Sequence, residues 1–176
     1  NLGIGHTTCK NGSINIGNYS CKNGLIVDHL IQDFTQAGIK AASIEYHEAR
    51  WKKAVWNMPF NGMTVVMNAQ TDQLLANPST MQLIRRQMME VIGAAQALGV
   101  KGVDASFADR MIEMTLSMTP YSPSMKLDYD FNRPMEIDYL YTHAIAEAHR
   151  VGYAMPSLEM LEAQLRFLQE KNSLRG

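Results

Sequence analysis

Trp51-Lys52-Lys53-Ala54-Val55-Trp56-Asn57-Met58-Pro59-Phe60-Asn61 is the stretch that decides how this chain is read. Lys53, Asn57 and Asn61 recur at steps of four, which stacks their side chains along one face of a helix. Ala54, Val55, Trp56, Met58, Phe60 and Met63 surround them, so the row lies on an otherwise apolar helix. An ammonium and two carboxamides are costly to bury without partners. Together they offer several donors and two carbonyl acceptors, which suits a small anionic, oxygen-rich ligand. The same residues also suit a plainer arrangement, in which Lys52 and Lys53 are solvated and the asparagines cap or bend the helix. Pro59 removes one backbone donor and clashes with the carbonyl of Val55, so a kink is expected between Asn57 and Asn61.

Upstream of this helix the pattern is β-like. Residues 4 to 20 alternate around Asn11-Gly12, a favoured two-residue hairpin turn, so two strands are expected with Ile14 and Ile16 on one face. Gly24 to Ala37 reads as a helix: Leu25, Ile26, His29, Leu30, Asp33 and Phe34 recur at helical spacing and Gly38 ends it. Ile39 to Glu45 reads as a further strand. From Glu48 onward only helices are expected. The first runs from about Glu48 to Asn68. Asn77-Pro78 opens the next, with Met81, Ile84, Met88, Val91, Ile92 and Ala95 on one stripe, and it stops near Gly99. Asp104 caps a helix from about Ala105 to Met118, after which Pro120 and Pro123 force a loop. Pro134 starts a helix with the stripe Ile137, Leu140, Tyr141, Ala144, Ile145 and Ala148, ended by Gly152. Leu158, Leu161, Leu165 and Leu168 follow Ser157 in the last helix.

Composition narrows the function classes. The chain has 176 residues and is 46% apolar, enough for one good-sized core. Net charge is −1 with no basic run, which argues against nucleic acid or an anionic membrane as partner. No apolar run reaches transmembrane length and no signal-peptide pattern opens the chain, so a cytoplasmic location is expected. Cys9 and Cys21 are too few for a disulfide framework and read as free thiols. The thirteen methionines read as gap-fillers of the core. Gly3-Ile4-Gly5 is half of a dinucleotide fingerprint that opens no helix. Asp128-x-Asp130-x-Asn132 begins like a calcium loop but has Arg133 at the sixth position and Tyr139 at the twelfth. His6, His29, His47, His143 and His149 lack metal-ligand spacing, so no metal site is expected.

Two more segments complete a pattern with the opening stretch. The chain reads Ser122-Pro123-Ser124-Met125-Lys126-Leu127-Asp128, then Asn132-Arg133-Pro134-Met135-Glu136-Ile137-Asp138-Tyr139. In order these give W-x-K-x-x-x-N-x-x-x-N, S-M-x-x-D and R-P-x-E-I-D-Y, followed by Gly152-x-x-x-Pro156. This series resembles the C-terminal domain of the ketopantoate reductase (2-dehydropantoate 2-reductase) family over nearly the whole chain. The resemblance implies a mainly α fold: a helical substrate-binding and catalytic domain of the 6-phosphogluconate dehydrogenase-like type in residues 47–176. Residues 1–46 would then be a β-hairpin, helix and strand from the tail end of a Rossmann nucleotide-binding domain. The chain starts mid-pattern without an initiator Met, as expected of a fragment or a separate subunit.

The resemblance also implies roles. Lys53, not Lys52, would be the proton donor in an NADPH-dependent reduction of 2-dehydropantoate to pantoate, a step of pantothenate biosynthesis. Asn57, Asn61 and Ser124 would bind the substrate, with Tyr121 and Ser122 beside them. Glu136 would belong to the catalytic and cofactor-contacting set. NADPH would bind chiefly to the Rossmann domain, so the chain alone is expected to be inactive. Partners would be a small 2-keto acid, that nucleotide-binding domain and, as an open assembly question, a second copy in a homodimer. The chemistry agrees. Ketone reduction needs a proton donor at the carbonyl oxygen, and a lysine whose pKa is lowered by burial can give and regain one while its charge stabilises the alkoxide. Glu136 in a first helical turn could hold Lys53, touch the cofactor, or simply favour the helix dipole. Ser124 could meet the substrate carboxylate or cap the helix that follows it. These groups are expected to converge on one cleft.

The chain departs from the family pattern at Tyr121, where some members carry Asn, at Leu140-Tyr141-Thr142, often x-Asn-Gly, and at Pro59. Tyr121 in particular could reshape the substrate end of the pocket, so reduction of a different 2-keto acid is the alternative. A helical binding or oligomerisation module without catalysis is the alternative from another class.

Overall fold

The computed structural model describes residues 4–5, 13–20 and 25–173. The Asn11-Gly12 turn, Cys9, Cys21, His6, Gly3 and the expected helix start at Gly24 lie outside the described residues. The chain divides into two compact units, Asn1–Arg50 and Trp51–Gly176.

In the first unit β1 (Ile4–Gly5) pairs antiparallel with β2 (Ser13–Gly17), placing Ile4 opposite Ile16. β2 in turn pairs parallel with β3 (Lys40–Ile44), giving the strand order β1-β2-β3. Parallel neighbours need a crossover, and α1 (Leu25–Gln36) supplies it. Gly38 closes α1 with φ of +77°, a left-handed value that glycine adopts without strain. The buried face of α1 differs from the expected stripe: Leu25 and Ile26 are exposed, whereas Val27 is buried and Leu30, Ile31 and Phe34 are half-buried. The run Leu25-Ile26-Val27 offers two overlapping apolar faces, and the face packed toward the sheet is the one at positions 27, 30, 31 and 34.

The second unit is helical. α2 (Tyr46–Val66) continues through Pro59 and ends with Asn68 in a left-handed conformation. α3 (Thr71–Ala76), absent from the sequence expectations, precedes α4 (Pro78–Ala97). Asn77 caps α4 by accepting from Ser79 N–H at 2.9 Å. α5 (Ala105–Leu116) is capped by Asp104, which accepts from Phe107 N–H at 3.2 Å. α6 (Ser124–Asp130) follows the proline-bounded loop. A π-helical turn, Asp138–Thr142, then leads into α7 (His143–Arg150), and α8 (Pro156–Ser173) closes the unit.

The core of this unit gathers Val55, Met58, Phe60, Ile84, Met88, Ile137, Tyr141, Leu158, Leu161 and Leu165, so the stripes of α4, α7 and α8 meet around the second half of α2. Methionine use is mixed rather than uniformly internal. Met58, Met63, Met88 and Met155 are buried, but Met67, Met114, Met118 and Met160 are exposed. Among the described residues no helix is long and apolar enough to cross a membrane.

Candidate functional site

The polar row on α2 runs from solvent into the core. Lys53 is exposed, Asn57 half-buried and Asn61 only 4% exposed. Burial rises along the row because α2 is amphipathic up to Asn57, whereas every residue from Met58 to Val65 is buried. A carboxamide in such surroundings needs partners, and Asn61 has two. Its Nδ2 donates to the Asn57 carbonyl at 2.9 Å, and its Oδ1 accepts from Met125 N–H at 3.1 Å. Met125 N–H is one of the free donors at the start of α6. Asn61 therefore caps α6 from a different helix.

That cap brings the second motif onto α2. Pro123 precedes α6, and Ser124 is its first residue, exposed, with no hydroxyl hydrogen bond among the described residues. The local cap expected from Ser124 is not formed; Asn61 does that work, and the hydroxyl is left for solvent or a ligand. Tyr121 is 44% exposed, and its ring centroid stands 6.3 Å from that of Trp56. Trp56 is fixed by an indole N–H to Thr115 Oγ1 bond of 2.8 Å and by contact with Phe60. Tyr121 is anchored by its backbone, whose N–H donates to Thr71 Oγ1 and whose carbonyl accepts from Thr71 N–H, both at 3.3 Å. Ser122 is half-buried and accepts from Gln70 Nε2 at 3.4 Å. Asn57, Asn61, Tyr121 and Ser124 thus come from two segments laid side by side.

The third motif starts its helix later than expected. Pro134 to Glu136 are not helical, because Met135 turns into the core and gives its N–H to Gln169 Oε1 at 2.8 Å. The helix opens at Ile137, and the Glu136 carbonyl accepts from Leu140 N–H at 3.0 Å. Glu136 is thus at the mouth of the helix rather than inside its first turn, still at the positive end of the dipole. Its carboxylate is exposed. Among the described residues neither it nor the Lys53 ammonium has a hydrogen-bond or ion-pair partner, and the two are not joined to each other. The burial expected of Lys53 is absent, since its side chain projects from the amphipathic half of α2.

One residue that ties this helix to α2 was read from sequence only as part of an apolar stripe and a departure from pattern. Tyr141, fully buried, donates its hydroxyl to the Met58 carbonyl at 2.5 Å. Burial pushes its phenol well above the ordinary range, so it remains a neutral donor. Among the described residues no cluster of His, Cys, Asp or Glu could hold a metal ion.

The family described as ketopantoate reductase PanE/ApbA C terminal matches residues 45–169. A 2-dehydropantoate 2-reductase of Nostoc sp. is 40% identical over 150 residues, which is 83% of this chain and 46% of that protein. The crystal structure of 2-dehydropantoate 2-reductase from Geobacter metallireducens superposes with a TM-score of 0.82 at 32% identity, covering 94% of this chain and 57% of that one. D-mandelate dehydrogenase, solved with NADH and anilino(oxo)acetate, reaches a TM-score of 0.81 at 17% identity over 92% of this chain and 68% of that one, a likeness of fold alone. The chain spans about half the length of the reductases it matches. With its three motifs on α2, at the start of α6 and at the mouth of the π turn, the chain belongs to the ketopantoate reductase family, through that family's C-terminal domain.

Proposed function

We propose that this chain is the substrate-binding and proton-donating domain of an NADPH-dependent reductase that converts 2-dehydropantoate to pantoate in the cytoplasm. The observation that carries the reading is the laying of the 121–125 segment along the Trp56–Asn61 face of α2, clamped by the Asn61 to Met125 bond. On this reading the exposed hydroxyl of Ser124 works together with the half-buried carboxamide of Asn57, on the helix that also carries the ammonium of Lys53. A 2-keto acid presents a carboxylate and a ketone. Ser124 would donate to the carboxylate, Asn57 would orient the substrate, and Lys53 would protonate the ketone oxygen as it becomes an alkoxide. Asn61 acts chiefly by holding these two segments together, since both ends of its carboxamide are engaged.

The dinucleotide supplies the hydride. The exposed carboxylate of Glu136, without a partner among the described residues, fits a hydroxyl or amide donor of that cofactor. The pyrophosphate is assigned to a Rossmann domain, of which residues 1–46 would be the tail end. Calorimetry should therefore find no tight NADPH binding by these 176 residues alone. Tight binding would move the nucleotide site into this chain.

The residue-level test compares Lys53→Ala with Lys52→Ala in a protein that joins this chain to such a domain. Loss of a positioned proton donor should lower kcat by about 10²–10⁴-fold, and Lys52→Ala should cost little. Equal small effects would return Lys53 to solvated surface. A second reading, reduction of a bulkier 2-keto acid, is favoured by one observation: the exposed ring of Tyr121 beside Trp56. It predicts higher kcat/KM for an aryl-substituted 2-keto acid than for 2-dehydropantoate, and a reversal of that preference in Tyr121→Asn.

A further inference from the structure

Pro59 leaves the Val55 carbonyl without its helical donor, yet α2 continues through the proline. What braces it is on another element. The Tyr141 hydroxyl donates to the Met58 carbonyl at 2.5 Å. That carbonyl stands one helical turn before Gly62 in the unbroken run of α2. The Tyr141 oxygen meets the helix there, one residue beyond Asn57. The approach requires glycine: a Cβ on residue 62 would stand 2.5 Å from the hydroxyl oxygen and 2.5 Å from Leu161 Cδ2. Tyr141 itself lies in the π turn Asp138–Thr142, which opens two residues after Glu136. Pro59, Gly62, the π turn and Tyr141 therefore form one device.

We propose that Tyr141 is a positioning residue for the reductase site: its hydroxyl pins the Met58–Gly62 turn of α2 to the π turn behind Glu136, so that Lys53 and Asn57 keep a constant spacing from the Glu136 carboxylate. The proposal rests on the reading above that these residues serve one reaction. A core role alone would need only the ring, which phenylalanine supplies. Positioning needs the oxygen, because it is the hydroxyl that ties the Met58 carbonyl to the π turn.

The experiment is Tyr141→Phe, alone and combined with Lys53→Ala, in the protein that joins this chain to a nucleotide-binding domain, assayed with NADPH and 2-dehydropantoate, with amide exchange at Gly62 read by NMR. Misplacement of a catalytic group by about 1 Å can cost about 10²-fold. The expected result is a kcat at least about tenfold lower for Tyr141→Phe, a loss below about twofold when Lys53 is already alanine, and altered Gly62 exchange. A kcat within about twofold of wild type, an equal loss in both backgrounds, or unchanged Gly62 exchange would overturn the proposal. If the wild type reduces no 2-keto acid, the functional reading fails separately. The clamp is then judged by the Asn57 carboxamide and Glu136 backbone amide signals: both shifting in Tyr141→Phe supports it, and either standing still overturns it.

Discussion

Replacing Gly62 by alanine is expected to destabilise the protein, although glycine is a poor helix former. Two terms of opposite sign decide the outcome. Alanine gains about 1 kcal/mol of helix propensity over glycine in a helix interior. Against this, the new Cβ would lie 2.5 Å from Leu161 Cδ2, 2.8 Å from Leu161 Cγ and 2.5 Å from Tyr141 Oη. Leu161 is 1% exposed and Tyr141 fully buried, so neither side chain has solvent to retreat into. Rotating the leucine methyl aside does not relieve its Cγ, which sits next to Cβ. Overpacking of this kind costs about 1–3 kcal/mol. Displacing the tyrosine also weakens its bond to Met58, worth about 1 kcal/mol. The balance is a loss of about 1–3 kcal/mol. Urea unfolding followed by the fluorescence of Trp51 and Trp56, both on α2, should show a lower midpoint at unchanged slope. Gly93→Ala is the control. Its Cβ would fall 1.9 Å from Tyr153 Oη, 2.4 Å from Cζ and 2.9 Å from Cε2, but Tyr153 is half-buried and these atoms are the far end of its ring, which can swing outward. A smaller loss is expected there. A raised midpoint for Gly62→Ala, as for an exposed helical glycine, would refute the packing argument.

Other consequences are open to the same methods. Asn61→Ala strips the Met125 N–H of its acceptor and should cost about 1–3 kcal/mol in urea unfolding; a change within about 0.5 kcal/mol would show that α6 needs no cap from α2. Glu90 accepts from the Ser157 and Leu158 N–H groups at 3.0–3.2 Å and so caps α8 from α4. Glu90→Ala should therefore lower stability by about 1–2 kcal/mol, measured in the same way. Glu159 is held below its ordinary value of 4.5 chiefly by the hydrogen bond from His149, with Met155 N–H adding to it. A depressed carboxylate stabilises the fold above its unfolded pKa, and that contribution is lost as pH falls from about 4.5 through the folded value. Glu159→Gln should flatten the fall of Tm below that pH, and an unaltered profile would show that the pair contributes nothing measurable.

What the sequence by itself determined is whatever depends on near neighbours. The stripes on α4, α7 and α8 and the caps at Asn77 and Asp104 follow from spacings of three or four residues, and the structure has them where they were expected. The glycine ends at Gly38, Gly99 and Gly152 all show positive φ for the same local reason. The helix start expected at Pro134 moved to Ile137 because Met135 turns into the core, and two other local readings failed because local signals were too weak or ambiguous. α3 is six residues long, too short to show a period, and is held by the Gln70 N–H to Gln73 Oε1 bond and by Tyr121. α1 carries two overlapping apolar faces, and only packing selected the one with Val27.

At the site, the residue types in the Lys53-Asn57-Asn61 row were legible, but not that burial would divide them into an exposed cation, a half-buried amide and a buried cap. That division depends on where the second half of α2 meets Tyr141, Leu161 and Met125. The same holds for the bonds that join distant elements: Asn61 to Met125 across 64 positions, Glu90 to Ser157 across 67, and Tyr141 to Met58 across 83. Periodicity tells which face of a helix is apolar. It does not tell which turn of that helix will stand opposite a free N–H or carbonyl on another, because that is set by the docking of whole helices, and only the tertiary structure decided it.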